Sequence, residues 1–164
     1  RGLARVRAVA LAVLALASGA PAQAQIPRPA RHQPHPALVS LVPLTEVYDT
    51  RNASTPEFDV AGIRCAGLVI AQDDWAQRTR RPGLRRVDAA TRRSVEHTLT
   101  ASEITRRNRG MPLPLAYAST REDLVRVIDL YTARFAANSQ GGRHPWRRDP
   151  LLHGDIAYCA HVNR

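Results

Sequence analysis

Cys65 and Cys159 are the only cysteines in the chain, and whether they pair constrains the fold more than any other feature. A bridge requires Cα atoms about 4.4–6.8 Å apart, so it would bring together two positions roughly 95 residues apart in sequence. Pairing is expected only in an oxidising compartment, which makes the N-terminus decisive. Residues 1–7 carry three arginines and no acid, residues 8–17 (AVALAVLALA) have no polar side chain, and Ala22-Gln23-Ala24 places small residues before Gln25. A positive start, a short apolar run and an A-x-A end read as an export signal peptide over residues 1–24. The apolar run is half of the roughly 20 residues that a spanning helix needs. The mature form is therefore expected in the periplasm or outside the cell, with no transmembrane segment. In that setting a Cys65–Cys159 disulfide is expected, rather than two separate buried thiols. On the chain-entropy model it would contribute about 4–5 kcal/mol before strain.

The residues after position 24 are enough for one domain. Residues 25–36 (QIPRPARHQPHP) hold four prolines and little to bury, which predicts an extended, mobile arm. Residues 37–48 (ALVSLVPLTEVY) are apolar but interrupted by Pro43, which suggests a strap across the domain or a short strand. Arm and strap together occupy residues 25–55, and a helical domain is expected over residues 56–164.

Four helices are predicted there. The first covers residues 56–77, with Thr55 as cap, Pro56 at the first position and Glu57 and Asp59 at the positive end. Its stripe is Ala61, Cys65, Leu68, Gln72 and Trp75, while Gly62 and Gly67 point to close approach of a neighbouring backbone. The second runs from the Asp88 cap to about Arg107 on a thin apolar stripe (Ala90 or Thr91, Val95, Thr98 or Leu99, Ser102, and Ile104 or Thr105), which suggests an exposed basic helix. The third opens at a capping box, Ser119 with Glu122. Leu124, Val127, Ile128, Tyr131 and Phe135 then repeat at helical spacing until Gly141-Gly142. Asp149-Pro150 opens the fourth, with Leu152, Ile156, Cys159 and Ala160 expected inward. The fold class is thus all-α: about four helices, a proline-rich N-terminal arm and one disulfide joining the first and last helices. Asp155 falls on the inward side of the last helix and needs a partner if buried. Arg64, beside Cys65, is the natural one, and the pairing requires the two groups to lie within about 6 Å.

All 24 basic residues are arginine, set against 14 acids. Residues 1–24 contain three of those arginines and no acid, which leaves 21 against 14 and a formal charge of +7. Codon bias accounts for the absence of lysine but not for the excess of positive charge. Three clusters stand out: seven arginines between Arg78 and Arg93, the Arg106-Arg107-Arg109 group, and Arg143-His144-Pro145-Trp146-Arg147-Arg148. Arg80, Arg81, Arg85, Arg86, Arg92, Arg93, Arg147 and Arg148 are the candidate anion-binding residues. An exported chain is not expected to meet nucleic acid. The expected partner is an anionic envelope component or another envelope protein.

No motif specifies an activity. The chain has no Cys-x-x-Cys-His, no glycine-rich phosphate loop and no Gly-x-Ser-x-Gly elbow, and without lysine every Schiff-base mechanism is excluded. No cofactor is expected and no catalytic residue is assigned. Read from the residues alone, the chain is a non-enzymatic binding or interaction module. The alternative is a small periplasmic enzyme or metal-binding protein using His97, His153 or His161. His153 and His161 lie eight residues apart, about 12 Å along a helix, so those two alone cannot hold one metal ion.

Overall fold

The computed structural model describes residues 32–47, 58–80, 84 and 86–162. The export signal expected at residues 1–24, the arm up to residue 31, and the cap and first helical position expected at Thr55 and Pro56 lie outside the described residues. A 3₁₀ turn at Pro36–Leu38 and the one-turn helix α1 (Leu44–Val47) precede four longer helices: α2 (Phe58–Thr79), α3 (Ala89–Asn108), α4 (Leu113–Asn138) and α5 (Pro150–Val162). A second 3₁₀ turn, Gln140–Gly142, follows α4. The described residues contain no strand.

Side-chain pairings fix the topology. Asp59 meets Arg106 at one end of α2 and Asp73 meets Arg92 at the other, so α2 and α3 are antiparallel. Arg106 meets Ser119 and Asp123 just past the α3–α4 connection, so α4 turns back along α3. Gly67 faces Val127, and Trp75 faces Phe135 with ring centroids 6.1 Å apart, so α2 and α4 run in the same direction. α5 returns from Asp149 beside Arg134 to Cys159 beside Cys65.

α2 is the central helix, and residues 59–68 are all buried. That explains its weak amphipathicity, because a helix packed on every side has no polar face to contrast with an apolar one. Its glycines are contact points. A Cβ on Gly62 would lie 2.9 Å from Cγ2 of Thr98, and one on Gly67 would overlap the Val127 side chain. α3 buries Val95, Thr98, Leu99, Ser102 and Arg106. Its stripe is thin because small polar side chains are what fit over Gly62, which corrects the expectation of an exposed basic helix.

The start of α4 also differs from expectation. The helix begins at Leu113, six residues before the capping box, because Pro114 occupies a first-turn position where its missing N–H is harmless. Ser119 is an interior, buried residue whose Oγ donates to the Ala116 carbonyl at 3.2 Å and accepts from Arg106 Nη1 at 2.9 Å. Asp88 and Asp149 do cap. Asp88 accepts from the Thr91 amide at 2.7 Å and Asp149 from the Leu152 amide at 3.2 Å.

The disulfide Cys65–Cys159 is formed, with Cα atoms 5.3 Å apart. Beside it, Arg64 and Asp155 are both fully buried and 2.5 Å apart, well within the expected limit. Tyr131 completes the cluster, donating to Asp155 Oδ2 at 2.6 Å and accepting from Arg64 Nε at 2.9 Å. Burial pushes its hydroxyl far above the ordinary value; Arg64 opposes that shift and Asp155 adds to it, so the phenol stays protonated. The cluster also holds the strap. Arg64 donates to the carbonyls of Ala37 (3.0 Å) and Val42 (3.1 Å), and the Leu44 amide donates to Asp155 Oδ1 at 2.8 Å. Leu38 and Leu44 are fully buried in the core, while Val39 and Val42 face solvent. The strap is therefore a core element, not a strand.

Candidate functional site

A second buried charge cluster lies at the end of the bundle where α2 begins. Arg106 is 4% exposed and contacts Asp59 (3.3 Å), Asp123 (2.7 Å) and Ser119 (2.9 Å). Arg109 lies 3.1 Å from Asp59 and Arg126 2.6 Å from Asp123. His32 Nε2 donates to Asp123 Oδ2 at 2.7 Å, and the His35 ring accepts from the Ala37 amide at 3.2 Å. The expectation of a mobile arm through residue 36 is therefore corrected from His32 onward, because a buried carboxylate 91 residues away holds that histidine. A cleft of about 320 Å³ lies here, lined by His32, His35, Arg106 and Arg109 among others. Arg106 and Arg109 are already engaged by its buried carboxylates, so its evident role is to fasten arm and helices together.

The opposite end is basic. Arg78 stacks on Trp75 with its guanidinium 5.8 Å from the ring centroid. Trp75 meets Phe135 edge-on, and Phe135 meets Trp146 edge-on at 5.3 Å. This aromatic chain places the end of α2 beside the loop that follows α4, so the first and third arginine clusters share one end of the bundle. Arg80 is exposed just after α2, with a left-handed φ of 46°. Arg86 and Arg92 are exposed but lie 3.2 and 3.6 Å from Asp73. Arg93 is exposed on the first turns of α3. Arg147 and Arg148 are exposed and line a hollow of about 330 Å³ with Asn138, Arg143, His144 and Asp149. Arg81 and Arg85 lie outside the described residues. The middle cluster is divided: Arg106 and Arg109 serve the other end, and Arg107 is exposed.

Two aspartates at the basic end are committed to structure. Burial would raise the Asp73 carboxyl, but the Val87 amide, Arg86 and Gln77 hold it below the ordinary range. Burial likewise opposes Asp149, yet Arg134, Asn138 and the Leu152 amide bring its carboxyl down as well. Both remain ionised with their charge locally matched. His97 and His153 are exposed on α3 and α5 and line none of these clefts, and His161 lies in the last turns of α5. Among the described residues, no group of three or more His, Cys, Asp or Glu side chains could hold a metal ion. None of the described helices is long and apolar enough to cross a membrane.

Compared with protein-family models, curated proteins and solved structures, the chain has no match.

Proposed function

We propose that this chain is an exported, disulfide-fastened binding module that presents the basic end of its helical bundle to an anionic component of the cell envelope. The observation that carries the reading is the convergence of two arginine clusters through Trp75, Phe135 and Trp146. Arginines on a rigid, aromatic-backed surface attract anions at long range and grip oxyanions at short range. The N-terminal pattern of residues 1–24 and the Cys65–Cys159 disulfide support an oxidising, extracytoplasmic setting.

The test is co-sedimentation of the exported, oxidised protein with lipid vesicles. Binding is expected to vesicles containing phosphatidylglycerol and not to pure phosphatidylcholine. It should vanish near 1 M salt, where the screening length is about 3 Å. Absence of binding at low salt, or equal binding to both vesicle types, would contradict the proposal.

A further inference from the structure

The loop between α4 and α5 is built around Arg147 and Arg148. α4 ends at Asn138, and Gly141 and Gly142 reverse the chain with φ of 68° and 77°, values that side-chain-bearing residues rarely adopt. Anchors then flank the two arginines on both sides. Before them, buried Pro145 accepts from Asn138 Nδ2 at 2.8 Å, and Trp146 packs edge-on against Phe135. After them, Asp149 is 6% exposed and held by Arg134 through two bonds of 2.6 and 2.9 Å, with Asn138 at 2.7 Å. The backbone under Arg147 and Arg148 is therefore fixed while both guanidiniums project into solvent, and neither has a carboxylate partner among the described residues. Such preorganisation reduces the ordering that a ligand must impose.

Among the described residues, the hollow they line has one carboxylate, Asp149, whose charge Arg134 already matches. Arg147 and Arg148 then leave its field positive. Its volume, about 330 Å³, suits one compact group better than a stretch of polymer. Planar guanidinium forks match a group with three or more equivalent oxygens. We propose that this hollow is a phosphate site, gripped chiefly by Arg147 and Arg148, that takes the phosphate of a lipid headgroup or a free phosphate. This inference rests on the anion-binding reading and makes it specific.

The test is a titration of the exported, oxidised protein with inorganic phosphate against chloride at matched ionic strength, followed by amide chemical shifts. Saturable shifts in residues 138–149 are expected, with half-saturation at roughly 1–10 mM. Arg147→Gln/Arg148→Gln should weaken phosphate binding by about tenfold or more, with an unchanged melting temperature showing that the fold is intact. Arg80→Gln/Arg93→Gln should alter it by less than about twofold. Unsaturable shifts, shifts reproduced by chloride, or equal weakening by both double variants would overturn the site. If phosphate does not saturate but phosphatidylglycerol vesicles still bind and both double variants weaken them equally, the phosphate site fails while the broader anion reading stands. If phosphate saturates but vesicles do not bind, the site stands and its ligand is a soluble phosphate. Loss of both in the wild-type protein sinks both proposals.

Discussion

Replacing Asp155 with alanine tests how the strap is held. Asp155 accepts from Arg64 and Tyr131 on Oδ2 and from the Leu44 amide on Oδ1, and all three partners are buried. The substitution leaves a guanidinium at 0% exposure without its counter-charge, and breaking a buried pair in this way costs about 3–5 kcal/mol. The orphaned Leu44 amide would add about 1–3 kcal/mol if it acted alone. The groups share one network, so the terms do not add, and about 4–5 kcal/mol is expected overall. At roughly 2–4 °C per kcal/mol for a domain of this size, the melting temperature should fall by about 10–20 °C. The assays are thermal unfolding with the disulfide intact and hydrogen exchange at the Leu44 amide, which should lose its protection first. Arg64→Met/Asp155→Leu should be more stable than Asp155→Ala, since apolar replacement of both partners avoids the isolated charge. A drop below about 3 °C, or unchanged exchange at Leu44, would refute this account of the clasp.

Gly67→Ala should destabilise by about 1–3 kcal/mol, because the new Cβ overlaps Val127. Adding Val127→Ala should restore part of the loss in urea unfolding, and no restoration would mean that the helix contact is misplaced. Asp149→Asn should cost about 1–2 kcal/mol at neutral pH. Because the folded-state carboxyl lies below its ordinary value near 3.8, its contribution is complete above that pH and is lost as pH falls through the lowered value. The variant and the parent should therefore converge in stability once the pH has fallen below the lowered carboxyl value; a gap that persists there would contradict the pairing with Arg134. Cys65→Ala/Cys159→Ala should lower stability by up to about 4–5 kcal/mol on loop entropy, read as a lower urea midpoint, and an unchanged midpoint would count against the bridge as a fastener.

The features that could be read from the sequence are those whose cause is local or whose partner sits at a marked position. Asp88 and Asp149 cap within three residues. The disulfide and the Arg64–Asp155 pair lie side by side on the same inward faces, so one periodicity located both. What escaped depended on distant partners. Arg106 reads as a surface residue until Asp59 and Asp123, 47 and 17 residues away, are seen beside it. His32 reads as part of a proline arm until Asp123, 91 residues on, is found holding it. A signal was present: Asp123 sits one turn before Val127 on an inward stripe, where a buried carboxylate needs a cation just as Asp155 does. Ser119 misled because its hydroxyl, suited to capping, is taken by Arg106. At the basic end, the arginines were evident from composition, but their convergence depended on the Trp75–Phe135–Trp146 contacts.

The most direct test of an anion-binding basic end is an amide chemical-shift map of the oxidised protein titrated with small anionic vesicles at low salt. Perturbations concentrated in residues 75–93 and 143–149 are predicted. Perturbations spread evenly over the surface, or centred on residues 106–111 at the opposite end, would contradict it.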